Sequence, residues 1–197
     1  MKLILASNSP RRRELLAGLG LDYEVRVLPG IDESYPAELT CGDIPLYISR
    51  EKAEAYKSSL ADDELLITAD TIVWLDGEVL EKPRDEEDAC RMLRELSGKT
   101  HQVFTGVCLT STLKQVSFSC RTDVTFSCLE EDEIRHYVSK YHPLDKAGAY
   151  GVQEWIGYIG VERVEGSYFN VVGLPVQRLY QALKQNYAGL CSKSFIF

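Results

Sequence analysis

The apolar stretch Leu65-Leu66-Ile67 runs through Ala69 into a carboxylate, Asp70, and resumes as apolar at Ile72-Val73. A run of this kind predicts a strand over 65–75 in the core of a sheet. A charge that interrupts such a strand is costly unless it is paired, metal-bound or at the edge of a cleft. Asp70 can hold Mg²⁺ through hard oxygen ligands, or accept a proton from water. The structural alternative is an acid at a kink in the strand, satisfied by backbone N–H groups.

The flanking sequence predicts the rest of a mixed sheet. Residues 3–6 read as a short buried strand, followed by a helix capped by Ser9, with Pro10 in its first turn. Leu15, Leu16 and Leu19 form the apolar side of that helix, and Gly18 and Gly20 mark its end. Residues 23–28 alternate as a strand, 29–42 form a loop, and a second helix runs over 43–59 with Leu46, Ile48 and Ala53 inward. Asp76-Gly77 is a hairpin turn to a return strand over 78–80, and Asp85 caps a third helix that ends before Gly98. Residues 102–110 and 116–126 are paired strands, and 130–140 is helical. The Gly-rich segment 145–160 is irregular, 168–172 is a strand and 175–187 is a closing helix. Helices alternating with long strands give an α/β class with a mixed, twisted sheet and flanking helices. One domain over 1–190 with a C-terminal tail over 191–197 accounts for the length.

Composition removes several classes of function. With 22 Lys plus Arg against 30 Asp plus Glu, the net charge of −8 argues against a nucleic-acid partner, which needs a basic footprint. A small phosphorylated ligand needs only a local cluster of cations. The six cysteines stand at least eight residues apart, with no histidine at ligand spacing, so they read as reduced small hydrophobes rather than a zinc site. No run approaches the ~18 apolar residues of a membrane span, and the start of the chain lacks the character of a signal peptide. A cytoplasmic protein with no membrane partner is expected.

Five segments carry candidate chemistry. Ser7-Asn8-Ser9-Pro10-Arg11-Arg12 joins a strand to a helix N-terminus, where unpaired N–H groups and the helix dipole favour an anion. The hydroxyls of Ser7 and Ser9 and the forks of Arg11 and Arg12 suit phosphate oxygens. The alternative is a solvated helix start. Asp70 is the second candidate. The third is Lys82 in Glu81-Lys82-Pro83, which follows the hairpin and can neutralise phosphate or orient the acid, though a lysine before proline is usually plain surface. Fourth, Lys52 on the second helix reads as one charge of a solvated face, and Glu33 in the acidic loop can add a carboxylate to a metal site. Last is Asp145-Lys146-Ala147-Gly148-Ala149-Tyr150-Gly151-Val152-Gln153, where small residues permit close backbone approach and the Gln153 amide can read a base edge. No P-loop and no GxGxxG after a strand is present, which weakens ATPase and Rossmann readings.

Taken in order, Ser7-x-Ser9-Pro10-Arg11-Arg12, Arg50-Glu51-Lys52-Ala53, Ala69-Asp70-Thr71-Ile72-Val73, Glu81-Lys82-Pro83, Asp145 to Gly151 and Gly166-Ser167-Tyr168 resemble the Maf family over nearly the whole chain. The resemblance implies a Maf/ITPase-like fold with two lobes around a cleft, often assembled as a homodimer. It implies hydrolysis of a nucleoside triphosphate to monophosphate and pyrophosphate with a divalent metal cation: Mg, Mn or Co. It gives Asp70 as the proton acceptor, and Arg12, Thr71 and Gln153 as the residues tied to substrate choice in the dTTP/UTP branch. Ser7, Glu33, Lys52 and Lys82 match further active-site positions. Expected roles are therefore catalysis for Asp70 and Lys82, and metal binding for Asp70 and Glu33. Substrate binding falls to Ser7, Ser9, Arg11, Arg12, Lys52, Thr71 and Gln153.

The chain departs from the family pattern at Glu154-Trp155, where a glycine is expected soon after the glutamine. Two other readings stay open: the 7-methyl-GTP branch of the same family, and a nucleotide-binding regulator of cell division. The regulator would need the cationic phosphate site but not Asp70.

Overall fold

Lys2–Leu5 forms β1, and its apolar residues pack on both sides of the sheet. Leu3 and Leu5 face one cluster and Ile4 the other, as the two-residue period of a strand requires. Pro10–Ala17 forms α1 and Tyr23–Val25 forms β2, which lies parallel to β1. A parallel neighbour needs a crossover, and α1 supplies it. Asp43–Tyr56 forms α2, prolonged by one 3₁₀ turn over Lys57–Ser59. Glu64–Leu75 forms β3, also parallel to β1, and turns back as β4, Glu78–Leu80. Then come α3 (Glu86–Leu96), β5 (Thr100–Thr110), β6 (Gln115–Phe126) and α4 (Glu131–Tyr141). Last are α5 (Trp155–Gly160), β7 (Val161–Glu165), α6 (Tyr168–Val172) and α7 (Val176–Asn186). The seven-stranded mixed sheet runs β2-β1-β3-β5-β6-β7, with β4 attached to β3. This computed structural model describes residues 1–187, so the tail expected over 191–197 lies outside the described residues.

The chain divides into two compact units, each made of separate segments. The first comprises Met1–Asp70, Thr105–Cys120 and the chain from Gly173. Its sheet is buried on both faces. Leu3, Leu5, Leu65, Ile67, Val107 and Leu109 pack with Leu16 of α1 and Leu179 and Leu183 of α7. On the opposite face Ile4, Leu66 and Cys108 pack with Ala53 and Tyr56 of α2. That double burial explains why Leu65, Leu66 and Ile67 are apolar without alternation. The second unit comprises Thr71–Phe104 and Arg121–Val172. In it Ala89, Leu93 and Leu96 of α3 and Ile134, Tyr137 and Val138 of α4 pack on Val73, Leu75, Val103, Val124 and Phe126. Each such fully buried aliphatic or aromatic side chain contributes about 1.5–3 kcal/mol.

Capping follows the sequence. Ser9 caps α1 through its side chain, Asp85 caps α3, and Glu130 and Glu133 close a capping box on α4. Three expectations change. Strand β2 ends at Val25 instead of continuing to residue 28. The segment 145–160 is not wholly irregular, since it contains a 3₁₀ turn, Ala147–Ala149, and α5. Residues 168–172 form helix α6 and not a strand, while the strand is β7, paired antiparallel to β6. The aromatic and β-branched residues of 168–172 favour a strand locally, but tertiary bonds override them. The Ser167 carbonyl accepts from the N–H groups of Asn170 and Val171, and the Asn170 amide donates to the Val103 carbonyl and to the Thr122 hydroxyl. Among the described residues no helix is long and apolar enough to cross a membrane.

Candidate active site

Within the first unit, the β1–α1 junction forms a cationic corner. The Ser7 hydroxyl is buried and accepts from the N–H of Ser9 at 3.2 Å, which fixes the turn into α1. Ser9 in turn accepts from the N–H of Arg12 at 3.4 Å. The Ser9 hydroxyl is thus a helix cap, which limits it as a phosphate ligand. The Arg12 side chain reaches across the unit: its Nε donates to the Gly173 carbonyl at 2.8 Å and its Nη1 to the Ala69 carbonyl at 2.9 Å. Arg12 is therefore fixed beside the strand that carries Asp70. Burial lowers the guanidinium pKa from its usual range, Asp70 pulls it back up, Arg11 lowers it further and Glu33 raises it. These four charges share one neighbourhood, and at neutral pH an arginine stays charged regardless.

Asp70 lies on β3 at the end of the first unit. Its Oδ1 accepts from Lys52 Nζ at 2.8 Å, and the same ammonium lies 2.8 Å from Glu33 Oε1. Lys52 and Asp70 are mostly buried, with side chains 13% and 14% exposed, whereas Glu33 is 53% exposed. A half-turn of α2 thus points one cation between two carboxylates. The sequence alone marks Lys52 as one charge on a solvated face; the structure makes it the hub of the cluster. The acid at a kink is also answered, because Asp70 is held by an ion pair. Such a cluster can bind a polyanion, orient water and accept its proton.

The remaining candidates belong to the second unit. Thr71 opens it, half-buried; Lys82 follows β4 and is exposed. The backbone N–H of Gly148 donates to the Glu81 carbonyl at 3.1 Å, so the Lys82 segment and the Gly-rich segment are tied together. A side chain at position 148 would meet Val73 at 2.9 Å, which accounts for a small residue there. Gln153 is half-buried, and its Oε1 is a buried atom with no hydrogen-bond partner among the described residues. Two groups near it escaped the sequence reading. Tyr137 lies within the helix expected over 130–140 and had no role in the sequence reading, but its hydroxyl bonds to the Glu154 carboxylate and accepts from the N–H of Gly151. Glu154 was visible only as a departure from pattern.

An α/β arrangement that brings Arg12, Lys52, Asp70 and Glu33 into one neighbourhood suits a phosphorylated polyanion. The chain belongs to the Maf family: the model of Maf-like protein matches residues 2–186. A dTTP/UTP pyrophosphatase from Bacteroides thetaiotaomicron is 66% identical over 184 residues, covering 93% of this chain and 95% of its own. Proteins of the same name from Porphyromonas gingivalis and Flavobacterium psychrophilum are 55% and 48% identical, with coverage of 93% of both chains and 91% of both chains. Among solved structures, the Ham1 protein of Staphylococcus aureus matches at a TM-score of 0.46 and 15% identity, covering 64% of this chain and 72% of that one.

Proposed function

We propose that this protein hydrolyses dTTP and UTP to the monophosphate and pyrophosphate, in a house-cleaning role toward nucleotides. The observation that carries the reading is the Asp70–Lys52–Glu33 cluster beside Arg12. The name shared by the relatives supplies the substrate. Arg11, Arg12 and Lys52 neutralise phosphate oxygens, with the Ser7 and Ser9 turn presenting backbone N–H groups at the start of α1. Lys82 neutralises charge on the leaving group. Asp70 takes a proton from water as the water oxygen bonds to the α-phosphorus. The α–β anhydride bond breaks and its electron pair leaves on pyrophosphate. Positioning and electrostatics supply most of the acceleration in phosphoryl transfer.

The acids present also fit a divalent cation (Mg, Mn or Co). Among the described residues no three His, Cys, Asp or Glu side chains are grouped to hold a metal alone. Asp70 and Glu33 do converge on a single cation, Lys52. Mg²⁺ commonly takes one or two carboxylates and completes its shell with phosphate oxygens and water. Asp70 and Glu33 would hold such an ion, which when bound with the substrate would supply charge to offset that developing on the phosphate oxygens.

Gln153, with Thr71 and Arg12, is assigned to substrate choice. Uracil and thymine present an N3–H donor between two carbonyl acceptors. The unpartnered Gln153 Oε1 supplies the matching acceptor and its NH₂ a donor. Cytosine has an acceptor at N3 and a donor at N4, so with the amide held in one orientation its N3 would face the Gln153 oxygen, at a cost of about 1–3 kcal/mol. Cytoplasmic placement, a homodimer, and one domain over 1–190 belong to the same proposal. The interleaving of segments between the two units supports the single domain.

The test is pyrophosphate release from UTP, dTTP, CTP, ATP and 7-methyl-GTP with Mg²⁺ or Mn²⁺. Turnover of UTP and dTTP above the others is expected. Release from 7-methyl-GTP alone would keep the chemistry and overturn the base assignment. No release from any would favour the nucleotide-binding regulator.

A further inference from the structure

The turn that carries Gln153 is closed by a ring of bonds in which the neighbouring side chain takes part. The N–H of Gly151 donates to the Tyr137 hydroxyl at 3.0 Å, and that hydroxyl donates to Glu154 Oε2. The backbone N–H of Glu154 donates back to the Gly151 carbonyl at 2.9 Å. Lys146 Nζ lies 3.2 Å from Glu154 Oε1 and 2.8 Å from Asp145 Oδ1, with its side chain only 9% exposed. The carboxylate also packs directly on the turn: a Cβ at position 151 would sit 2.7 Å from Glu154 Cδ and 2.9 Å from Oε2. Only glycine leaves that space. At the far end the N–H of Gly157 donates to the Glu154 carbonyl at 2.9 Å, so α5 starts from the same residue. All these groups lie in the second unit.

A buried ion pair of this kind contributes little net stability, because desolvation offsets the Coulomb gain. What it does well is specify one geometry, since both partners forfeit more if they separate. Burial and the adjacent Glu154 carboxylate push the Tyr137 phenol well above its ordinary range, so it stays a donor at any working pH. The residue held inside this ring is Gln153, whose amide oxygen is buried without a partner. An unsatisfied buried amide keeps one orientation only if the backbone around it cannot relax.

We propose that Glu154, held by Lys146 and Tyr137, is a positioning residue that fixes the Gln153 amide for reading the nucleobase. Its side chain bonds to Tyr137 and Lys146, and its role is to position and not to react. The inference rests on the reading of Gln153 as the base-reading group.

The experiment is a double-mutant cycle between Gln153→Ala and Glu154→Gln, with Tyr137→Phe as a milder second perturbation of the ring. KM and kcat are measured for UTP, dTTP and ATP, and thermal unfolding checks folding. Glu154→Gln is expected to raise KM for UTP and dTTP about tenfold with kcat changed less than ~2-fold, leaving ATP unaffected. Tyr137→Phe should act in the same direction and less. In the Gln153→Ala background, Glu154→Gln should change KM by less than ~2-fold, because the group it positions is gone. Equal effects of Glu154→Gln with and without Gln153, or equal effects on ATP and UTP, would overturn the inference and leave a merely structural role. Retained UTP preference in Gln153→Ala would instead overturn the base-reading assignment, and this inference with it.

Discussion

Lys52 is the residue around which the cluster is balanced. Its ammonium has Asp70 and Glu33 at 2.8 Å each, and removing it would leave two carboxylates facing one another. Lys52→Met should therefore lower both stability and turnover, with the loss in stability recovered partly in Lys52→Met/Glu33→Gln. Thermal unfolding of the single and double variants checks this; identical melting temperatures would mean that the exposed Glu33 is too well solvated to matter. Asp70→Asn is a cleaner probe of chemistry. The amide keeps the shape and leaves Lys52 still paired with Glu33, so the fold should persist. Turnover should fall at least ~100-fold if Asp70 takes the proton from water. Pyrophosphate release near the unaltered level in a folded Asp70→Asn protein would remove Asp70 from the mechanism.

Helix α2 shows how an element sets such a residue in place. Strand β5 runs so close to the first turn of α2 that a Cβ at Gly106 would lie 2.3 Å from the Pro45 carbonyl carbon and oxygen. Backbone cannot yield as a flexible side chain does, so Gly106→Ala must push α2 away from the sheet. The expected result is a loss of about 1–3 kcal/mol in denaturant unfolding, with kcat lowered because Lys52 rides on α2. A stable, fully active Gly106→Ala would show that α2 tolerates the shift. The same scale explains what could be read in advance. Elements with a local signature stood out: the Ser9-Pro10 start of α1, the Asp85 cap of α3, the Asp76-Gly77 turn between β3 and β4. Helix α6 did not, because four of its five residues are aromatic or β-branched and strand-like, and its shape rests on Asn170 bonding to Val103 and Thr122, which are distant in sequence. The site divides likewise. Asp70 was legible because a charge stands out in an apolar strand, and the serine–arginine run because it starts a helix. Lys52 was not legible from periodicity, since nothing in a helix face reveals which charge meets a strand residue eighteen positions away. The Tyr137–Glu154 bond was hidden for the same reason.

Acid should loosen the whole molecule in two windows, one from each compact unit. In the second unit His101 is fully buried, bonded through Nε2 to the Tyr150 hydroxyl and set edge-on against Phe126 and Tyr150. Burial lowers its pKa to about 4, with Asp123 pulling weakly the other way. An unfolded histidine titrates near 6.5, so the unfolded chain takes up this proton first. The contribution is complete above about pH 6.5 and is lost as pH falls toward 4, up to ~3 kcal/mol in all. In the first unit Glu64 is held by Arg26, whose two guanidinium nitrogens lie 2.6 and 2.9 Å from its oxygens, and its pKa falls to about 2. That contribution is complete above about 4.5, the ordinary glutamate value, and is lost as pH falls toward 2. The net charge of −8 at pH 7 passes through zero near pH 5.0, so general self-repulsion also changes across these windows and single curves cannot separate the causes. Variants can. Urea unfolding of the unaltered protein, His101→Phe and Glu64→Gln should be followed from pH 7 to 2.5. The His101→Phe curve should fall less steeply between 6.5 and 4 and run parallel below, because the Tyr150 phenol, raised by burial, does not titrate in this range. Glu64→Gln should run parallel above 4.5 and fall less steeply beneath it. A His101→Phe curve parallel to the unaltered protein between 6.5 and 4 would mean that the buried imidazole accepts its proton without cost, and the ring cluster would then have to contain a partner for it.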